Sequence, residues 1–207
     1  MRTGLGLAFG MALAALAAGS IGTAAQAQQQ QQRPAQPVGP KIGCPKAGTV
    51  VERIEGNINI TTTYRGTDPS DPAMCLAETF GQQQRILYGI FLQNSTTGRL
   101  SARGRIDQLF TGQVREISFT ASLPTANQGV SLFSERWRRL DPEAISLNGR
   151  TIRAQVFQRT VNGQAGNAFS ARFTYYYDPD TSVWVKRNET VWRGDPEPMV
   201  VTKITLP

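Results

Sequence analysis

The residues best suited to chemistry in this sequence are two cysteines, two close pairs of aspartates and a cluster of arginines, and no histidine occurs among the 207 residues. Without histidine there is no Ser-His-Asp triad, no Cys-His pair, no histidine general base and none of the usual zinc or copper donor sets. Phosphate-cradling glycine loops, dinucleotide fingerprints and nucleophile elbows are also missing. Lys41, Lys46, Lys186 and Lys203 are the only lysines, and none stands in a Ser-Lys motif. Carboxylates are the remaining catalytic option. Asp68 and Asp71 share a loop with Pro69 and Pro72, and Asp178 and Asp180 flank Pro179. Such pairs can act as general acid and base or bind Ca²⁺. Asp beside Pro is also ordinary turn chemistry, and neither loop has the ligand count of a calcium motif. The sequence therefore predicts no catalytic residue, no metal site and no cofactor.

Cys44 and Cys75 lack C-x-x-C spacing and are the only cysteines, which points to one structural disulfide and an oxidising compartment. The densest basic cluster is Glu135-Arg136-Trp137-Arg138-Arg139, with Arg153 and Arg159 on the next extended segment. If the two segments pair, Arg136, Arg138, Arg153 and Arg159 form a patch for an anionic group. The alternative is a solvated strand face kept from aggregating by its charge. A third constellation is aromatic: Phe169, Phe173, Tyr175 and Tyr177 alternate along one strand and share a face. They either line a ligand cavity or pack as core, and aromatics at strand spacing favour core.

The elements that position these residues are mostly strands. Phe169–Tyr177 and Ser182–Trp192 are β-rich runs around the turn Asp178-Pro179-Asp180-Thr181, a hairpin signal. Gly48–Arg65 reads as a strand region with a turn or bulge at Gly56-Asn57, in which Ile54, Ile58, Ile60, Thr62 and Tyr64 hold one parity. Gly66–Pro72 reads as a loop ending near Cys75, and Ile86–Leu92 as a single strand covered on both faces. Ile117, Phe119, Ala121 and Leu123 alternate with polar residues, as do Phe133, Glu135, Trp137 and Arg139. Asn148-Gly149 is a strong hairpin signal before the strand Arg150–Val161, and Val200, Thr202, Ile204 and Leu206 form a last strand. Between Leu100 and Phe110 the stripe Leu100, Ile106, Leu109, Phe110 fits a helix stopped at Gly112. The fold class is thus mainly β: about eight antiparallel strands in an up-and-down barrel or a sandwich, with one short helix.

Upstream, Arg2, the apolar run Leu5–Ala18 and Ala25-Gln26-Ala27 have the layout of a secretory signal peptide over residues 1–27, cleaved near Ala27. Residues 28–43 are rich in Gln and Pro and read as a disordered linker, leaving 44–207 as a single β domain. The apolar run is short for a membrane span, and the mature chain offers none. Losing the leader with its Arg2 takes the net charge from +7 to +6. The layout resembles that of small exported β proteins of Gram-negative bacteria. The expectation is an exported protein, periplasmic or extracellular, with a non-enzymatic binding or structural role in the envelope. Its partner would be an anionic envelope component or an envelope protein, and no nucleic acid is expected. A carrier of a small apolar ligand in a barrel cavity is the first alternative, and a carboxylate-dependent hydrolase the second.

Overall fold

The computed structural model describes residues 41–92, 99, 101–124, 130–164, 168–191 and 196–207. The leader, the tether up to Pro40, the break at Asn94–Gly98, most of the turn before Val130, Trp192 and the start of the loop after it lie outside these residues. The chain forms β1 (Val50–Glu55), β2 (Ile58–Asp68), β3 (Asp71–Thr79), β4 (Gln82–Leu87), β5 (Phe91–Leu92), α1 (Arg103–Phe110), β6 (Glu116–Pro124), β7 (Val130–Arg139), β8 (Glu143–Leu147), β9 (Arg150–Gly163), β10 (Ser170–Asp178), β11 (Val183–Val191) and β12 (Met199–Thr205). All pairings are antiparallel. Eleven strands run in the order β5-β4-β3-β2-β1-β12-β11-β10-β9-β7-β6, and β8 branches from β9.

The sheet is open. β5 and β6 are its edges, with no pairing between them among the described residues, so the expected closed barrel or two-sheet sandwich of about eight strands is corrected to one larger sheet. Four strands account for the difference. The region 48–65 is two strands, because Glu55 pairs with Ile58 across the two-residue turn Gly56-Asn57. The run Ile86–Leu92 is also two, because Tyr88 (φ 52°) and Gly89 (φ 69°) turn the chain between Leu87 and Phe91. β3 was hidden by its Pro72 and Asp71, and β8 lies between two turn signals. The predicted loop Gly66–Pro72 shrinks to Pro69-Ser70, and β2 runs past it through irregular register near Gly66 and Asp68.

Helix α1 occupies the gap between the sheet's edges in the chain order. Its Ile106, Leu109 and Phe110 are buried, and Gly112 follows at φ 80°, so these three positions of the predicted stripe and its stop are present, while Leu100 lies outside the described residues. The core they enter gathers side chains from both ends of the strand order: Leu87 and Phe91 from one, Ile117, Phe119, Ala121 and Trp137 from the other. A second core, on the other parity of several strands, contains Val51, Tyr64, Ile86, Ile152, Val156, Tyr176, Val185 and Val201. Strands β9 and β10 contribute to both, so Tyr176, between Tyr175 and Tyr177 of the first core, is itself buried in the second, at 7 % exposed. On β12 the buried residues are Met199 and Val201, while Val200 is 42 % exposed, so the predicted parity is reversed at the start of the strand; past the irregular register opposite Glu52 and Arg53, Ile204 packs against the second core as its predicted parity requires.

Lys41–Gly43, read from composition as the end of the linker, belong to the fold: Ile42 is buried, and its N–H donates to the Phe110 carbonyl at 2.9 Å. Next to them, Cys44 and Cys75 form a disulfide with Cα atoms 5.3 Å apart, anchoring this segment to strand β3 and not to a loop. Closing a loop of this length removes denatured-state entropy worth about 3 to 4 kcal/mol. Changing both cysteines to serine is expected to lower the urea midpoint by that amount of stability, measured against the oxidised protein.

Candidate functional site

A cleft of about 490 Å³ is lined from β1, β2, β4 and β9–β12, with further residues from the turns around β4 and β5. Its floor is apolar and aromatic: Val51, Tyr64, Ile86, Phe91, Tyr175 and Trp184 are all buried. Four arginines, Arg53, Arg99, Arg159 and Arg187, also line it, against a single glutamate, Glu55. Strand alternation explains the placement. Val51, Arg53 and Glu55 share one face of β1, and the register sets Glu55 opposite Met199, and Met199's other neighbour is Arg187. Across that row Glu55 accepts a hydrogen bond from Arg187 Nη1 at 2.9 Å, and Arg53 Nε lies 3.4 Å from its second oxygen. Arg53 Nη1 donates to Thr62 Oγ1 at 2.9 Å, which leaves its Nη2 as a donor with no partner among the described residues. Arg187 Nη2 donates to the Glu197 carbonyl at 2.6 Å.

The second pair of arginines is anchored on Glu135, which is 1 % exposed. Its Oε1 accepts from Arg99 Nε and Nη2 at 3.0 and 2.6 Å and from Arg159 Nη2 at 2.8 Å. Its Oε2 accepts from Arg159 Nε at 3.0 Å and Trp137 Nε1 at 3.1 Å. Burial by itself would raise the Glu135 carboxyl, but the guanidinium groups of Arg159 and Arg99 outweigh it and hold the group below the usual carboxylate range. Arg159 is further placed between rings, with its guanidinium carbon 5.5 Å from the Trp137 centroid and 5.1 Å from that of Phe173. The cleft thus combines fixed cations with aromatic surface, a chemistry suited to holding an anion and, beside it, an apolar group.

The sequence-predicted basic patch is divided by register. β7 and β9 do pair, but Trp137 faces Arg159, so Arg159 turns into the core while Arg136 and Arg138 lie on the opposite face. Those two share Glu116, at 2.7 and 3.1 Å, and are about half exposed. Arg153 stands opposite Ala144 of β8 and is exposed. Of the four aromatics proposed as cavity lining, Tyr175 alone lines the cleft. Phe173 stacks on Tyr175 at 6.0 Å, Phe169 meets Phe133 edge-on at 6.0 Å, and Tyr177 packs on Trp184 and accepts a hydrogen bond from the Gly43 N–H at 2.9 Å.

The aspartate pairs serve turns and struts. Asp68 accepts from Ser70 and pairs with Arg85 at 2.5 Å, while Asp71 takes a bidentate bond from Arg103 of α1 at 2.9 and 3.0 Å. Asp178 accepts from the Asp180 N–H and the Thr181 hydroxyl, as expected of a turn.

Sequence reasoning missed Arg53, Glu55, Arg99 and Arg187 as site residues and Glu135 as a buried anchor. The signal for Glu135 was present: it shares a strand face with Phe133 and Trp137, and a carboxylate at core parity must find cations.

No protein-family model matches this chain, and no curated protein of similar sequence matches it. Among solved structures the fold is similar to that of the hypothetical lipoprotein YmcC from Escherichia coli K12, with a TM-score of 0.50 and 12 % identity over 75 % of this chain and 86 % of that one. A looser similarity, TM-score 0.41 at 9 % identity, is found to a Bacteroides fragilis protein with a YmcC-like fold, covering 81 % of this chain and 100 % of the other. What this chain shares with the E. coli protein is its fold: a mainly β, antiparallel, open sheet with one helix.

Proposed function

We propose that the chain is an exported, non-enzymatic protein that binds an anionic ligand in the arginine-lined cleft. The observation that carries this reading is the set of four arginines lining a cleft of about 490 Å³ and held by two glutamates, Glu55 and Glu135, which leaves an excess of positive charge and, among the described residues, the Arg53 Nη2 donor unused. Guanidinium groups present planar donor pairs matched to carboxylate and phosphate oxygens. Export is supported by the leader-like N-terminus and by the disulfide, which persists in oxidising compartments. The absence of histidine and of any recognisable nucleophile motif supports a binding role.

Titration calorimetry of the mature domain with inorganic phosphate, simple phosphate monoesters and carboxylates tests the reading. Binding is expected, and it should weaken as salt screens the cleft. Arg53→Ala removes the spare guanidinium donor and is expected to weaken binding by about 1.5 to 3 kcal/mol, the worth of a hydrogen bond to a charged group. Undiminished affinity in a folded Arg53→Ala protein, or no affinity of the unaltered domain for any of these anions, would reject it.

A further inference from the structure

We infer that the occupant of the cleft is an amphiphile with one anionic head group and a single apolar tail, and that Phe80 at the cleft mouth holds the tail; this rests on the anion-binding reading of the same cleft. Phe80 is the most exposed large apolar side chain among the described residues, at 70 %. It lines the cleft beside Thr79 and Ile60, yet belongs to neither hydrophobic core and makes no ring contact with another described residue.

Its backbone makes the choice of residue stranger. Phe80 and Gly81 form the two-residue turn between β3 and β4, with φ of 53° and 71°. Left-handed backbone at the first turn position suits Asn, Asp or Gly, and a bulky residue there is strained. The same protein supplies the comparison. The β8–β9 turn has nearly the same φ pair, 51° and 76°, and carries Asn148-Gly149. A phenyl ring at position 80 therefore disfavours the turn and exposes apolar surface, and folding recovers neither cost through packing.

A ligand that covers the ring recovers both. The cleft grades from the exposed Phe80, through half-buried Ile60 and Ile90, to a buried aromatic floor flanked by the arginines. A simple anion would use the arginines and leave the apolar surface wet. A purely apolar guest would displace water from Arg53 Nη2, the donor that Glu55 and Thr62 leave unused, and offer it no acceptor. An acidic head joined to a hydrocarbon tail satisfies both surfaces at once, whether the head is a phosphate monoester or a carboxylate.

The test compares monododecyl phosphate, laurate, butyl phosphate and butyrate, each below its critical micelle concentration, on the mature chain and on Phe80→Asn. The mature chain is expected to prefer the dodecyl over the butyl compound by about tenfold or more within whichever head-group series binds. Phe80→Asn is expected to collapse that preference toward unity while its melting temperature stays level or rises, because Asn suits the turn. Equal affinity for long and short tails would overturn the inference and leave the anion-binding reading standing. So would an unaltered preference in Phe80→Asn, or a fall in its melting temperature, which would mark Phe80 as a packing residue. Failure of all four compounds to bind would overturn both readings.

Discussion

Replacing Phe110 by alanine is expected to remove about 3 to 5 kcal/mol of stability, at the upper end of the range for an aromatic truncated in a core. Phe110 is 1 % exposed, and its ring touches five others: Tyr88, Phe91, Trp137, Phe157 and Trp184, at centroid distances of 4.9 to 6.5 Å. These rings come from the β4–β5 turn, β5, β7, β9 and β11, so no single element can move in to fill the void. The residual cavity, and not just the lost transfer free energy, sets the size of the effect. Urea unfolding of Phe110→Ala against the unaltered protein measures it. A fall of on the order of 10 °C in melting temperature is expected for a domain of this size. A loss below about 1 kcal/mol would mean that the helix is not the piece that joins the two ends of the sheet.

Glu135→Gln is expected to destabilise by a similar amount, about 3 to 5 kcal/mol, for an electrostatic reason. The substitution keeps the side chain's shape and leaves Arg99 and Arg159 facing a neutral amide. Two guanidinium groups, 5 % and 13 % exposed in their side chains, then lose the carboxylate that both share. The pH dependence separates this from a packing defect. The native Glu135 carboxyl lies below its unfolded value, so its contribution is fully present above about pH 4.3, the ordinary glutamate range, and is lost as the pH falls through the lower native value. The stability gap between the unaltered protein and Glu135→Gln should therefore narrow on acidification. Asp68 and Asp71 are also held low, by hydrogen bonds from Ser70 and Arg103 first of all, but they contribute to both proteins and cancel in the difference. A gap constant from pH 7 to pH 3 would count against the charge explanation.

How far the fold was legible depended on which force placed each residue. The alternation of Ile117, Phe119 and Ala121, the stripe on α1 and the Asn148-Gly149 turn were legible because local periodicity and turn chemistry determine them. β3 was not, because Ala73, Met74, Cys75 and Ala77 are all buried, and a strand covered on both faces has no alternation to read. The site was obscured by one turn. Reading Ile54 and Ile60 as one face ignores that a two-residue connection pairs Glu55 with Ile58. That pairing puts Arg53 and Glu55 on the face of Ile60 and Tyr64, and leaves Ile54 41 % exposed on the other. The arginine patch failed for the same reason, since only register decides that Arg159 faces inward. Phe80 left no signal at all: a Phe-Gly pair between strands does not advertise a left-handed turn.

The pairing of β1 with β12 has a kinetic side. Glu52 is bonded through its carbonyl to Thr202, 150 residues later, and β11 meets β12 at only two opposed pairs, Lys186 with Val200 and Arg187 with Met199. While the chain is made from its N-terminus, β1 has β2 on one side and an open edge on the other until β12 arrives. Contacts of such separation are slow to form, and the waiting edge is open to pairing with other chains. The arginine cleft lies on this junction, so its lining and the last step of folding draw on the same few residues.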